Sequence, residues 1–365
     1  MRPCWADLPG DLLTIIAEKA STTNTQYVHL RAVCKAWRRA LTPHPNHLPP
    51  QFPWLMLPKL SISDADIFFY DMARSKTYRF QLPYVSGKYH CGSSHGWLVL
   101  EHEHRVSLLN PVTSRCINLP SFDAPPTLRK MYVSSNAIYP TCIAKVCLSC
   151  TPSKPGCIVV AWFFSSSNWE LGFCRIGDSQ WTELKWDAGP SVMDFTLYNN
   201  LVYTVNTKME ISVYDLQDRS VWTFPSKFNF YNRMHDEINL VEGDADSSGP
   251  LIVITVDCGT MDFVEINKVC VYKWCDERQR WHRVKEIGKR VLFLNMRNSI
   301  NLQCDEKQEN DVYYDIRHSV TIESFRIGIH RANLESGKVV PHKLSTMDVF
   351  PSMCGLPLWV TPSLI

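Results

Sequence analysis

The feature that most restricts the fold is a unit of strand, polar turn and strand that recurs along the chain beyond residue 53. Two clear copies, Phe69–Pro83 and Leu108–Pro120, begin 39 residues apart. A period near 40, with about four strands in each unit, is typical of a β-propeller blade. Six units can be recognised, and a seventh could form if Pro53–Pro58 paired with Leu358–Pro362 and so closed the ring. The repeat therefore predicts a mainly β fold with a propeller of six or seven blades, and an irregular β-sandwich or barrel is the alternative.

The composition fits such a fold, because blades bury both of their faces against neighbours. Hydrophobic residues make up 45% of the chain and aromatic residues 12%, whereas charged residues make up 20%. So much apolar surface needs a sizeable core, which excludes a disordered chain. The 38 Lys and Arg residues nearly balance the 36 Asp and Glu residues. Binding along a nucleic acid needs uncompensated cations, so we expect partners other than nucleic acid.

Nothing in the sequence predicts an association with a membrane. No apolar run approaches the ~20 residues that span a bilayer. The first residues also lack the apolar stretch of a signal peptide. We therefore expect a cytoplasmic or nuclear protein, in which the 14 cysteines serve as small apolar core residues rather than as disulfides.

The first ~42 residues have a helical rather than a strand-like pattern. Leu12, Ile15, Ile16 and Lys19 follow the i, i+3, i+4 and i+7 spacing of one helix face. A second helix is predicted across residues 27–41, because the apolar residues there form one stripe. Five prolines between residues 43 and 53 then predict a stiff linker without helix. The stripe consists of Tyr27, Leu30, Val33, Cys34, Trp37 and Leu41.

Two runs in this helical region resemble a known family pattern. Residues 8–16 read LPGDLLTII and residues 30–38 read LRAVCKAWR. They are similar to the F-box pattern, LPxDLLxxI followed by LRxVCKxWR, almost letter by letter. The remainder resembles the DUF295, or KIB-type, propeller of plant F-box proteins. The cues there are SHGWL at 94–98, LNP at 109–111 and WVTPS at 359–363.

The resemblance implies three regions: an F-box at residues 3–44, a Pro-rich linker at 45–52 and a kelch-like, substrate-binding propeller at 53–365. F-box proteins dock onto the Skp1 adaptor of a cullin–RING ubiquitin ligase, so the expected partner is a Skp1-like adaptor. A module of about 40 residues buries little surface on its own, which independently favours docking on a partner. Carried over by position, the adaptor-binding residues would be Leu8, Pro9, Leu12, Leu13, Ile16, Leu30, Val33, Cys34 and Trp37.

The function that the resemblance implies is the substrate-recognition subunit of an SCF-type (Skp1–cullin–F-box) E3 ubiquitin ligase. The propeller would bind a target protein and a separate E2 would perform the chemistry, so we expect neither enzymatic activity nor a cofactor. Two alternatives stay open: an F-box and propeller interaction protein that acts outside any ligase, and a propeller enzyme. Segments that mix Arg, Met and Tyr are typical of binding surfaces. They nominate Arg129, Tyr132, Tyr231 and Arg233 as target-binding residues.

Three motifs suggest chemistry, but each is better explained by structure. Gly92–Gly96 fits the G-x-S-x-G pattern of a hydrolase, but the strand-like run that follows favours a simple turn. Cys147 and Cys150 form a C-x-x-C with Cys142 and Cys157 nearby. Residues three apart on a strand point to opposite faces, so these cysteines are not expected to share a zinc ion. Glu101–His104 predicts a hairpin tip rather than a metal site, and no metal is expected.

Overall fold

A computed structural model shows how these segments fold. It describes residues 5–21, 23–42, 45, 47, 48, 51–122, 143–165, 168–184, 192–208, 210–224, 237–243, 249–257, 266–275, 277, 278, 280–295, 297–304, 309–321, 324–342, 347–349 and 357–363.

The N-terminal region, residues 5–42, is helical and is called the helical module below. It contains a 3-10 helix (Trp5–Asp7), α1 (Gly10–Ala20), α2 (Asn24–Ala32) and α3 (Lys35–Ala40). The sequence predicts one helix where the structure has two. The backbone is extended at Cys34 (φ −160°, ψ 172°), so the helix stops there and a new one begins. Among the described helices, none is long and apolar enough to cross a membrane.

The rest of the described chain is built from short strands, apart from a 3-10 turn at Pro83–Val85. The first strands are β1 (Trp54–Met56), β2 (Asp66–Asp71), β3 (Lys76–Gln81), β4 (Tyr89–Ser94), β5 (Trp97–His102), β6 (Arg105–Leu109), β7 (Cys116–Asn118), β8 (Ile143–Leu148), β9 (Ile158–Ser165), β10 (Asn168–Arg175), β11 (Thr182–Glu183), β12 (Val192–Tyr198) and β13 (Leu201–Asn206). The others are β14 (Ile211–Asp215), β15 (Val221–Phe224), β16 (Glu237–Val241), β17 (Leu251–Asp257), β18 (Ile266–Cys275), β19 (Arg280–Val284), β20 (Arg290–Asn295), β21 (Asn298–Gln303), β22 (Asp311–Thr321), β23 (Ser324–Asn333), β24 (Val339–Pro341), β25 (Met347–Val349) and β26 (Leu358–Val360).

These strands form sheets that surround a central axis as a propeller. Five sheets have four antiparallel strands each: β26-β1-β2-β3 (blade 1), β4-β5-β6-β7 (blade 2), β8-β9-β10-β11 (blade 3), β12-β13-β14-β15 (blade 4) and β16-β17-β18-β19 (blade 5). A sixth sheet, called the mixed sheet, has the order β21-β20-β22-β23-β24, with β25 also paired to β23. The inner strands β26, β4, β8, β12, β16 and β21 contact one another in that order and return to β26.

The predicted number of six or seven blades is wrong for regular blades, since the described residues form five. The mixed sheet differs because β20 and β21 form a tight hairpin that turns inward, in the register Asn295↔Asn298. This hairpin occupies the inner edge, so β22 pairs with the other side of β20 in parallel, in the register Val291↔Asp311. Parallel strands are joined by a crossover rather than by a tight turn, so the repeat of strand, turn and strand did not predict this pairing.

The predicted pairing of the two ends of the propeller region is confirmed. Strand β1 pairs with β26, with Leu55 opposite Trp359. These two strands complete blade 1 rather than forming a seventh unit. Trp359 is fully buried and donates a hydrogen bond from its indole Nε1 to the Leu294 carbonyl, 2.9 Å away on the mixed sheet. Strand β26 thus links blade 1 to the mixed sheet.

The apolar core is divided among the contacts between neighbouring sheets. Each pair of adjacent sheets around the ring shares one cluster of buried side chains. Between blades 2 and 3, for example, Val99 and Leu108 pack with Val159 and Cys174. The expectation that cysteines fill the core is confirmed for Cys91, Cys157, Cys174 and Cys270, which are buried. Burial on both faces of each blade accounts for the high aromatic and aliphatic content.

A buried histidine makes the fold sensitive to acid. His90 on β4 is 1% exposed, and neither ring nitrogen has a hydrogen-bond partner among the described residues. Burial, together with the nearby cations Lys59 and Arg297, lowers the pKa of His90 to about 3. The unfolded chain takes up the proton near pH 6.5, so between pH 6.5 and about 3 the unfolded state binds more protons. The free energy of unfolding should therefore fall as the pH drops through this window.

We predict that His90→Leu removes this acid sensitivity. At pH 5 the unpaired histidine should cost the wild-type protein about 2 kcal/mol relative to pH 7. Urea unfolding at pH 7 and pH 5 measures the difference, and the loss should shrink by that amount in the variant. His29→Leu, which removes an exposed histidine, serves as the control. An equal loss of stability in all three proteins would contradict the assignment.

Candidate functional site

Helix α1 presents an apolar strip to solvent. Leu12 is 50% exposed and Ile15 is 48% exposed, and Ile16 beside them is half-buried. Residues three and four apart lie on one face of a helix, so these side chains form a continuous strip. Val33 at the end of α2 is 58% exposed and Trp5 is 68% exposed. Large apolar side chains grouped at a surface are typical of a protein interface.

The structure divides the nine predicted adaptor-binding residues into two groups. Leu13 and Trp37 are buried, and Leu8, Leu30 and Cys34 are partly buried against the same core. Their contacts lie within the module, and their contact with an adaptor stays a prediction. The other four residues, which are exposed or half-buried, are Pro9, Leu12, Ile16 and Val33. Sequence reasoning did not include Ile15 or Trp5, although Ile15 follows Leu12 at the i+3 spacing of that face.

Trp37 and Cys34 give the module its internal order. The Cys34 thiol caps α3 by accepting a hydrogen bond from the Trp37 amide at 3.4 Å. The Trp37 indole donates to the Trp5 carbonyl at 2.9 Å, which fixes the 3-10 helix against α3. Trp37 also packs with Leu13 and Tyr27 in the small core of the module. A substitution of Trp37 would therefore disturb folding as well as any docking.

The segment after α3 joins the helical module to the propeller. His47 lies 3.1 Å from the Ser21 hydroxyl, measured from its Nε2, and its ring contacts Tyr27. Leu48 packs on the core of the module, and so does Val112, which lies in the turn after β6 of blade 2. The module is therefore seated against the end of blade 2 where β6 finishes.

A cavity of about 680 Å³ opens where the inner strands reach their C-terminal ends. All six sheets contribute to its wall, for example through Ser94, Thr196, Leu240 and Ile300. Pro45, Leu48 and Gln51 also line this cavity. The segment that carries the module thus lies at the mouth of the central cavity, on the same face as the module.

A buried ion pair forms part of the cavity region. Lys145 on β8 donates from Nζ to the two carboxylate oxygens of Asp194 on β12, at 2.8 and 3.0 Å. The Leu240 amide on β16 donates to Asp194 Oδ2 at 2.7 Å. Burial raises the pKa of the Asp194 carboxyl, and the Lys145 cation opposes that shift. Three inner strands are linked through one carboxylate.

The hairpin of the mixed sheet makes similar links to other sheets. Arg297 Nη1 donates to the carbonyls of Cys91 at 3.2 Å and Ile143 at 3.0 Å, on blades 2 and 3. The Asn298 amide donates to Ser93 Oγ at 3.1 Å and to the Trp359 carbonyl at 2.7 Å. Sequence reasoning missed these residues, because single polar residues in a tight turn carry no motif.

The hydrolase-like motif consists of the end of β4 and the turn into β5, and this turn confirms the prediction. Ser94 ends β4 and Trp97 begins β5, so the two residues between them, His95 and Gly96, form the connection. Ser94 Oγ accepts a hydrogen bond from the Leu148 amide at 3.2 Å. This bond links the end of β4 to β8 of blade 3. Gly96 has φ +80°, and a side chain there would meet Ser363 and Thr361. The motif thus holds neighbouring segments together.

The cysteines of the C-x-x-C face opposite sides of blade 3, with Cys147 on β8 and Cys150 in the bend that follows it, and Cys142 lies outside the described residues. Cys147 packs against the core shared with blade 4, and Cys150 packs against the core shared with blade 2. Burial raises the pKa of Cys147 to about 11 and that of Cys157 to about 12. Within the described ranges, no group of side chains has the geometry of a metal site.

Two further predictions concern turns and loops. Glu103 and His104 form the tip of the β5–β6 hairpin, both with positive φ, which confirms the predicted turn. The predicted target-binding residues, Arg129, Tyr132, Tyr231 and Arg233, lie outside the described residues.

Comparison with known families identifies the propeller. A family model described as the KIB1-4 beta-propeller matches residues 69–331. This range begins within blade 1 and ends within β23 of the mixed sheet.

Curated relatives come from Arabidopsis thaliana. A putative F-box protein is 29% identical over 124 residues, which is 33% of this chain and 30% of that protein. F-box only protein 7 is 22% identical over 326 residues, which is 80% of this chain and 78% of that protein. For the first relatives, the chain spans about a third of their length.

Among solved structures, TolB from Acinetobacter baumannii aligns with a TM-score of 0.49 and 11% sequence identity. The alignment covers 92% of this chain and 73% of that one.

The Lys145–Asp194 pair allows a stability test of the cavity wall. Lys145→Met should leave a buried carboxylate without its cation and lower the free energy of unfolding by about 3–5 kcal/mol. Adding Asp194→Asn should restore much of this loss, because the amide oxygen still accepts from the Leu240 amide. Urea unfolding of the two single variants and the double variant measures the coupling. Losses that simply add would show that the two side chains act independently.

Proposed function

Since the chain belongs to the KIB1-4 β-propeller family and resembles plant F-box proteins, we propose that it is the substrate-recognition subunit of an SCF-type E3 ubiquitin ligase. In this proposal the helical module docks on a Skp1-like adaptor and the propeller binds a target protein. The complex acts in the cytoplasm or the nucleus. A separate E2 carries the ubiquitin, so this chain contributes no nucleophile of its own.

The observation that carries the proposal is the exposed apolar strip of α1. Leu12 and Ile15 lie about half in water, in a module whose own core consists of few side chains. Burying a large aliphatic side chain is worth about 1.5–3 kcal/mol, so a partner helix that covers the strip gains substantial affinity. Val33 and Trp5 supply further apolar surface on the same module.

The contact between the helical module and blade 2 explains how this chain would orient a target protein. Leu48 and Val112 pack on the core of the module, so a docked adaptor is held in a defined orientation to the propeller. A target bound to the propeller is then kept near the E2, and proximity raises the effective concentration of its lysines. The catalytic contribution of this chain is positional.

We predict that Leu12→Glu with Ile15→Glu abolishes adaptor binding while the fold is kept. Both side chains are exposed, so the two charges cost little in the free chain but must be desolvated in the complex. Co-purification with a Skp1-like adaptor, or isothermal titration, should show a loss of affinity of at least about 100-fold. Thermal unfolding of the free variant should match wild type within about 3 °C.

Thr14→Glu is the matched control, because Thr14 is exposed on another side of α1. It adds one charge to the same helix and should leave adaptor binding unchanged. Equal binding by the double variant and by wild type would refute docking through α1. A ubiquitination assay with the assembled complex then separates a ligase subunit from an interaction protein that acts outside a ligase.

A further inference from the structure

A second cavity, of about 470 Å³, lies at the opposite end of blade 2 from the helical module. It is called the basic cleft here and is formed by the segment before β4, the β5–β6 hairpin and the end of β7. Three basic side chains line it: Lys88, His102 and Arg105. Its remaining lining includes Tyr84, Val106, Ser107, Asn118, Leu119 and Ser121.

The positive charge of the cleft is largely uncompensated. Within the described part of the chain, no carboxylate forms an ion pair with Lys88 or Arg105. An acidic side chain also lies beside the cleft: Glu103 Oε2 is 3.9 Å from His102 Nε2. The Lys88 ammonium lies 3.0 Å from the centre of the Tyr84 ring, and burial lowers the pKa of this lysine. A dianionic ligand would restore the balance of charge.

The neutral groups of the cleft suit the oxygens of a phosphoryl group. Ser121 offers an exposed hydroxyl donor, whereas the buried Ser107 hydroxyl is hydrogen-bonded to Tyr84. Tyr84 Oη donates to Asn118 Oδ1 at 3.1 Å, and this bond directs the amide group of Asn118. The Asn118 NH₂ is a further donor on the lining. Charged donors of Lys and Arg form the strong hydrogen bonds with phosphate, and the hydroxyl and amide donors add orientation.

We propose that the basic cleft binds a phosphoserine or phosphothreonine side chain of the target protein. The inference rests on the proposed function, since it specifies the chemistry of the target. Recognition would then depend on prior phosphorylation, and a kinase reaction would determine when the target is captured.

The shape of the surroundings favours a peptide over other phosphate-bearing partners. Strand β7 is the outer strand of blade 2, and Asn118 at its end lines the cleft. An extended peptide can add to such an edge through backbone hydrogen bonds and place one side chain in an adjoining cleft. Nucleic acids and anionic membranes are bound by longer rows or clusters of cations, whereas the lining of this cleft has two, Lys88 and Arg105.

The position of the cleft leaves room for the adaptor. Strand β6 begins at Arg105 in the cleft and ends beside the turn that carries Val112, which contacts the helical module. Its five residues span roughly 17 Å. A target held in the cleft and an adaptor held by α1 therefore occupy opposite ends of blade 2 and can bind together.

The test uses the full chain without adaptor and a fluorescein-labelled peptide library with a fixed central phosphoserine or phosphothreonine. Fluorescence anisotropy should show binding that is at least about tenfold weaker for the same library without phosphate. Inorganic phosphate at millimolar concentration should compete. Arg105→Gln and Lys88→Gln should each weaken phosphopeptide binding by about tenfold, which is the value of one charge-assisted hydrogen bond.

Lys208→Gln is the matched control and should bind like wild type, because Lys208 is an exposed lysine near the corresponding hairpin of blade 4. Equal binding of the two libraries, or equal affinities of Arg105→Gln and Lys208→Gln, would overturn the proposal. Binding to vesicles with phosphoinositide headgroups but not to the phosphopeptides would also overturn it, in favour of a membrane. None of these measurements involves the adaptor, so a failure here is distinct from a failure of docking through α1.

Discussion

The pairing of β1 with β26 is the constraint on which the rest of the structure depends. Without it blade 1 lacks its inner strand, and the mixed sheet loses the side chain of Trp359 from its contact with blade 1. Each sheet buries apolar surface against two neighbours, so an open ring would expose a cluster at the break. The central cavity also exists only while the six inner strands surround it. A few backbone hydrogen bonds and one tryptophan thus maintain both the core and the site.

Around the axis, polar side chains complement the apolar contacts between sheets. The hairpin of the mixed sheet extends Arg297 and Asn298 to the backbone or side chains of blades 1, 2 and 3. On the other side of the ring, the Asp194 carboxylate accepts hydrogen bonds from Lys145 on β8 and from the Leu240 amide on β16. Buried polar groups are costly when left unpaired, so each of these bonds also specifies which sheets are adjacent. Apolar packing stabilises the ring, and the polar links define its order.

The sequence predicted features that depend on local pattern and missed those that depend on distant partners. The repeat near 40 residues predicted blades, and the apolar run at 358–360 predicted the closing strand. The helix break at Cys34 was missed, since cysteine is an uncommon cap and the apolar stripe continues through it. Periodicity placed Leu12 and Leu13 in one helix but could not assign one to solvent and the other to the core. The basic cleft was not predicted, because Lys88 and Arg105 line the same cavity only after blade 2 has folded.

The closing strand also determines when this molecule can become native during synthesis. Strand β1 leaves the ribosome early, but its partner β26 follows about 300 residues later, which at about 5–20 residues per second is at least 15 seconds. Throughout that interval blade 1 carries an unpaired inner edge, the kind of edge that recruits chaperones or other nascent chains. Blade 1 therefore cannot be completed until the segment that forms β26 has been synthesised. A chain that stopped before β26 would keep this inner edge of β1 unpaired, and the ring would stay open.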